Sequence, residues 1–146
     1  MTSTKMQKPY LVLCLLILPL IMISGCADQQ DPNLESQIIR DTTTEETYTL
    51  IQDNRANPDF AIIDVRTPKE YTAGRIANSI NIDFYSDSFR DNLNKLDKEK
   101  EYLIYCKSGN RSGKSRDIMR NLNFTEVYNM LGGIVQWEAD KLPKVK

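Results

Sequence analysis

Short apolar runs alternate with helix-like segments along most of the chain, and this alternation is the feature that most restricts its fold. Residues 60–65, 102–105 and 127–130 are apolar runs bounded by turn signals, and they are short enough to be strands buried on both faces. Strands separated by helices are typical of a parallel sheet with helices on both sides. We therefore predict an α/β fold with a central, mostly parallel sheet.

Helix signals fall between these runs. Thr43 or Thr44 can cap a helix that ends near Asn54, and Thr67 and Glu70 form a capping box. The remaining predicted elements are helices over residues 89–96 and 111–122 and around Ile134, Trp137 and Leu142, a strand over residues 76–82, and an edge strand at Ile38-Ile39.

The first 25 residues have the pattern of a signal peptide. Lys5 and Lys8 precede an apolar stretch over residues 11–23, which is short for a membrane-spanning helix. The stretch ends in Ile23-Ser24-Gly25-Cys26, which resembles the lipobox of bacterial lipoprotein precursors. The alternatives are an uncleaved membrane anchor or a plain secretory signal.

The lipobox resemblance implies that the chain is cut before Cys26 and that this cysteine is lipidated, with acyl chains such as palmitate. The protein would then be anchored to a membrane of the cell envelope on its extracytoplasmic side. Residues 26–36 are mostly polar, and we interpret them as the lipidated cysteine and a tether. Residues 37–146 are the predicted domain.

Several classes of chemistry are excluded by composition. The chain has no histidine, so it holds neither a Ser-His-Asp triad nor a Cys-His dyad nor a His-ligated metal site. Cys14, Cys26 and Cys106 lack Cys-x-x-Cys spacing, which argues against zinc and against a redox pair. The net charge of -1 gives no overall basic field for nucleic acid. We predict no metal, no cofactor and no nucleic-acid partner.

Cys106 lies between a predicted strand and a predicted helix, at the sheet edge where such folds bind ligands. Backbone amides, the positive end of the helix, Arg111 and Lys107 can together stabilise a thiolate, a persulfide or an oxyanion such as thiosulfate. Gly109 and Gly113 permit a tight loop. The alternative is an inert, buried cysteine. The predicted anion-binding loop consists of Lys107, Ser108, Gly109, Asn110, Arg111 and Ser112.

Several motifs occur in a fixed order along the chain. They are Ile63-Asp64-Val65-Arg66, Glu70-Tyr71, Gly74-Arg75-Ile76, Ile80-Asn81-Ile82, residues 105–112, Gly132-Gly133-Ile134 and Trp137. On these residues the chain resembles the rhodanese (thiosulfate sulfurtransferase-like) family. The resemblance implies a three-layer fold in which Cys106 is the sulfur-accepting nucleophile and residues 107–111 complete its loop. It places Asp64 and Arg66 beside that loop, and we favour a structural ion-pair network of both with Glu70.

One segment departs from the family pattern. Arg75 stands where the family often has histidine, and Ala77-Asn78 stands where it often has Pro-Gly. Asn tolerates the left-handed backbone region, so the turn can persist. Two roles are open to the aromatic residues Phe84, Tyr85 and Phe89, shaping the rim of the pocket or packing, and we favour packing.

Three functions are consistent with the pattern. The first is sulfur transfer, in which Cys106 takes sulfane sulfur from a small anionic donor and passes it to a thiol or to cyanide. The second is a non-catalytic module that binds an envelope partner. The third is a phosphatase or arsenate-reductase-like enzyme, which is disfavoured because only four residues separate Cys106 from Arg111, whereas such enzymes generally have five.

Overall fold

The computed structural model describes residues 37–146. The predicted signal peptide, the lipidated Cys26 and the tether lie outside these residues and stay predictions, which metabolic labelling with palmitate would test. Within residues 37–146, no helix is long and apolar enough to cross a membrane.

Five strands and five helices alternate along the described residues, as the α/β prediction requires. The strands are β1 (Ile38–Thr42), β2 (Phe60–Asp64), β3 (Ser79–Asn81), β4 (Glu101–Tyr105) and β5 (Glu126–Met130). The helices are α1 (Thr44–Asp53), α2 (Pro68–Ala73), α3 (Phe89–Asn94), α4 (Asn110–Asn121) and α5 (Gly133–Ala139).

Local sequence signals set the starts of α1 and α2. Thr43 caps α1: its hydroxyl accepts a hydrogen bond from the Glu46 amide. The Glu46 carboxylate in turn accepts a hydrogen bond from the Thr43 amide. Thr67 and Glu70 form the same reciprocal box at the start of α2, where Pro68 occupies the first helical position. Each box satisfies amides that a helix start leaves without partners. Both helices therefore begin where the sequence predicts.

The strands form one sheet in the order β1-β5-β4-β2-β3, and all four pairings are parallel. β4 is the central strand. The chain leaves β4 toward β5 and leaves β2 toward β3, so neighbouring strands send their connections in opposite directions. Such a reversal opens a crevice at the carboxyl ends of the two strands, where open α/β sheets bind ligands. Cys106 follows β4 directly, at this crevice.

Helices cover both faces of the sheet, which confirms the three-layer prediction. Neighbouring residues of a buried strand point to opposite faces: Ile63 and Ile104 pack into one cluster, and Ile62 and Leu103 into the other. The first cluster also receives Phe89, Leu93 and Met119 from α3 and α4, and the second receives Ile134 and Trp137 from α5.

Several boundaries differ from the sequence predictions. The helix α3 ends at Asn94 and not at residue 96, and β1 extends to Thr42. β3 spans three residues instead of 76–82, because Asn78 has a left-handed backbone (φ 61°) and Arg75 pairs instead with Val145 in an isolated antiparallel bridge. Asn78 does take the left-handed conformation that we predicted for this turn. Leu142 lies beyond α5, although it packs on the same cluster as Trp137.

Candidate active site

The loop after β4 wraps around the sulfur of Cys106. Gly109 turns the chain with a positive φ of 92° and caps α4. The Sγ atom accepts a hydrogen bond from the Gly109 amide at 3.1 Å and another from the Ser112 hydroxyl at 3.4 Å. The sulfur thus faces hydrogen-bond donors even though Cys106 is only 1% exposed and packs against the core.

These donors stabilise the anionic form of the thiol. Burial raises the pKa of Cys106, but hydrogen bonds from the hydroxyl and amide of Ser112 and from the amides of Ser108 and Gly109 lower it more, so the pKa lies below its ordinary value. The positive end of α4 acts in the same direction. An inert buried thiol would lack these donors and would have a raised pKa.

Arg111 reaches across the crevice to α2. Its Nη1 and Nη2 donate to the two carboxylate oxygens of Glu70 at 2.9 and 2.8 Å. This bidentate pair, with further bonds from Thr67, lowers the pKa of Glu70 to about 2. The guanidinium is therefore paired with Glu70, and the charge of Cys106 is a further cause that raises the pKa of Arg111, so the two groups also interact. The sequence could not reveal the pairing with Glu70, because the partners are 41 residues apart.

Asp64 and Arg66 form a second, separate ion pair at the end of β2. Arg66 Nη2 donates a hydrogen bond to the Asp64 carboxylate at 2.6 Å and another to the Gly74 carbonyl oxygen at 2.7 Å. The Arg66 guanidinium lies over the Tyr105 ring, at 5.6 Å. Glu70 bonds Arg111 and not Arg66, so the predicted single network is instead two pairs. Asp64 and Arg66 hold the strand ends that carry the loop.

The remaining loop residues lie at the surface. Lys107, Ser108 and Asn110 are exposed. Gly113 lies within α4 and has no positive φ, so the expectation that it shapes the loop was wrong.

A glycine turn supports the loop from behind, and the sequence analysis assigned it no such role. Gly133 has a φ of 58°, and a Cβ built on it would lie 2.5 Å from the Cys106 carbonyl oxygen. The first amides of α5 bond the loop: Ile134 N donates to Cys106 O at 2.8 Å, and Val135 N donates to Lys107 O at 3.1 Å. The Gly132-Gly133 pair in the sequence was the only signal for this support.

One aromatic residue stands at the entrance. Phe84 and Phe89 pack together with ring centroids 5.2 Å apart, as predicted. Tyr85 is instead 67% exposed, and the Arg111 guanidinium lies 5.5 Å from the centre of its ring. Packing alone therefore does not account for Tyr85.

Replacing Ser112 with alanine is expected to raise the pKa of Cys106, because one donor to the anion is lost. The thiolate is the reactive form, so alkylation by iodoacetamide should rise with pH in both proteins, with the midpoint at higher pH in the variant. At pH 7 the variant should react about fivefold more slowly. Ser115→Ala is the matched control, since the Ser115 hydroxyl donates to the Arg111 carbonyl oxygen and not to sulfur. Equal profiles for Ser112→Ala and wild type would contradict this role.

Comparison with known proteins agrees with this geometry. The model of the Rhodanese-like domain family matches residues 43–140, more than half of the chain. A sulfurtransferase from Allochromatium vinosum is 30% identical over 87 residues, which cover 60% of this chain and 79% of that protein. A tRNA uridine(34) hydroxylase from Hamiltonella defensa is 34% identical over 87 residues, 56% of this chain but only 24% of the hydroxylase.

Among solved structures, a rhodanese-related protein from Thermoplasma volcanium has 31% sequence identity and a TM-score of 0.62. The match covers 73% of this chain and 97% of that one. The chain belongs to the Rhodanese-like domain family.

Proposed function

We propose that the protein is a sulfurtransferase that carries sulfane sulfur as a persulfide on Cys106. The observation that supports this best is the Sγ atom, which lies at the end of the central strand with the Gly109 amide at 3.1 Å and the Ser112 hydroxyl at 3.4 Å. These donors favour a thiolate without a base, which suits a chain that has no histidine.

The reaction has two displacements. The Cys106 thiolate attacks the outer sulfur of a donor such as thiosulfate; the S–S bond of the donor breaks, and sulfite leaves with the electron pair. A new S–S bond joins that sulfur to Cys106 as a persulfide. A thiolate or cyanide then attacks the outer sulfur and leaves with it, which regenerates the Cys106 thiolate. Neither step needs an oxidant or a reductant.

The hydrogen-bond donors around the sulfur suit both the thiolate and the persulfide form of Cys106. A persulfide is an anion at neutral pH, and the amides of Ser108, Gly109 and Ser112 are placed to stabilise it as they stabilise the thiolate. Cys106 is the only cysteine in residues 37–146, so within this part of the chain no second thiol can convert the persulfide into a disulfide.

Mass spectrometry tests the proposal. The chain purified without reductant and treated with thiosulfate should gain one sulfur atom on Cys106, and cyanide should remove it as thiocyanate. Cys106→Ala should gain none. Cys26→Ala is the matched control and should load as wild type does. A wild-type protein that neither loads nor releases sulfur would point to a non-catalytic binding module, and aryl phosphate hydrolysis that depends on Cys106 would point to a phosphatase.

A further inference from the structure

A cleft lies beside α1, and no residue of the cysteine loop lines it. Its walls are the second half of α1, the turn before β3 and the tail that follows α5. Its volume of about 360 Å³ is within the range of small-molecule sites. The large apolar residues that line it are Tyr48, Ile51, Ile76, Trp137, Pro143 and Val145.

Hydrogen bonds hold the tail in place as one wall of this cleft. Trp137 Nε1 donates to the Pro143 carbonyl oxygen at 3.0 Å. Arg75 and Val145 exchange two backbone hydrogen bonds, each of 2.9 Å. Because these bonds fix the wall, the site is preformed and a ligand need not order it on binding.

The cleft continues along α1 into a second space of about 190 Å³, which Ile80 and other residues near the edge of the sheet line. The two spaces share Ile51, Arg55 and Asn78, and we call them together the α1 groove. Ile80 is 46% and Val145 42% exposed, so two of the six exposed large hydrophobic side chains among residues 37–146 border this groove. An organic ligand can bury its apolar surface against them.

Arg55 gives the α1 groove a positive charge. Within residues 37–146 it is the only charged residue that lines either space, and none of the ion pairs there uses it. The acids nearest in the chain lie elsewhere, since Asp53 lines a different cleft and Asp59 pairs with Lys100. Two clefts near the start of α1 contain carboxylates, including that of Glu45 in both. An anion in the α1 groove therefore meets a guanidinium and no opposing carboxylate.

The size of the positive charge favours a ligand with one negative charge. Helix α1 ends at Asp53, so Arg55 follows the negative end of the helix. That end is equivalent to about half a negative charge, which offsets part of the full charge on Arg55. A monoanion is therefore matched better than a dianion. A carboxylate also suits the planar guanidinium, which can donate to both of its oxygens.

We propose that the α1 groove binds an aromatic monocarboxylate, whose ring packs on Tyr48 and whose carboxylate pairs with Arg55. The Tyr48 ring already lies 6.0 Å from the Trp137 ring, centroid to centroid, with the planes tilted by 56°. A third ring extends this cluster in the tilted arrangement that aromatic rings prefer. The proposed site is separate from Cys106 and does not depend on sulfur transfer.

Trp137 makes the site observable in the full chain, because it is the only tryptophan and lines the cleft. Titration calorimetry measures affinity, and the change in Trp137 emission locates the ligand. The probes are 3-phenylpropionate, the neutral 3-phenylpropionamide and propionate, which has the charge without the ring. We expect 3-phenylpropionate to bind about tenfold more tightly than either of the other two and to change the emission.

Arg55→Gln is expected to lower the affinity for 3-phenylpropionate about tenfold, the size of one charge-assisted hydrogen bond. The affinity for 3-phenylpropionamide should not change, because that probe carries no charge. Arg90→Gln is the matched control, since Arg90 is also an exposed arginine but lies on α3.

Tyr48→Leu is expected to lower the affinity for 3-phenylpropionate about fivefold, the size of one aromatic contact, and to leave propionate binding unchanged. Leucine keeps an apolar side chain at this position, so α1 should still pack. Tyr85→Leu is the control, because Tyr85 is exposed beside Arg111 of the cysteine loop. If 3-phenylpropionate binds no better than propionate, or if either groove variant keeps the wild-type affinity, the proposal fails. Sulfur loading of Cys106 is measured separately and is untouched by that failure.

Discussion

Replacing Arg66 with methionine is expected to destabilise the protein by about 3–5 kcal/mol. Asp64 is fully buried, and Arg66 donates to both of its carboxylate oxygens from Nε at 3.0 Å and from Nη2 at 2.6 Å. Methionine fills similar space but leaves a buried carboxylate without a counter-ion. It also leaves the Gly74 carbonyl oxygen without its donor. Urea unfolding followed by circular dichroism measures the loss.

Two further variants show whether charge causes that loss. Arg120→Met removes a guanidinium that pairs with Asp117 at the surface, where both side chains are over a third exposed, and should cost less than about 1 kcal/mol. The double variant Asp64→Asn with Arg66→Met removes both buried charges and should recover about 2 kcal/mol or more. If Arg66→Met is as stable as Arg120→Met, the buried ion pair does not contribute to the stability of the fold.

The fold could be predicted because its signals are local. Thr67, Pro68 and Glu70 specify the start of α2 within four residues, and the apolar runs of β2 and β4 need no knowledge of their neighbours. The class, the parallel sheet and the position of Cys106 at a strand end all follow from such signals. The length of β3 was overestimated, because the chain before it forms a backbone bridge from Arg75 to the distant Val145 instead of a strand.

The site could be predicted only in part, because its partners come together through the fold. The cysteine loop is one continuous segment, so its members are visible in the sequence. Glu70 also serves as a capping residue, and nothing in the sequence shows that its carboxylate also holds Arg111. The sequence also does not show which glycines shape the loop: Gly113 lies seven residues after Cys106 and is helical, whereas Gly133 lies far along the chain, has a positive φ and contacts the loop.

Replacing Gly133 with alanine is expected to slow sulfur loading of Cys106 about a hundredfold, the effect of displacing a reactive group by about 1 Å. The new Cβ would lie 2.5 Å from Cys106 O, 2.6 Å from Lys107 C and 2.7 Å from Lys107 O. All three are backbone atoms, which cannot rotate away as a side chain could. The positive φ of 58° adds strain of about 1–3 kcal/mol for a residue with a side chain.

Relief of that overlap must move the loop, since the Ile134 and Val135 amides tie the loop carbonyl groups to the start of α5. A moved loop carries the Gly109 amide away from Sγ, so the thiolate loses a donor and the loading rate falls. Gly113→Ala is the matched control: its Cβ would meet only Asn129 Nδ2, at 3.8 Å, and alanine favours the helix. Loading rates are compared in proteins that circular dichroism shows to be folded. If Gly133→Ala loads sulfur at the wild-type rate, the loop keeps its shape without support from α5.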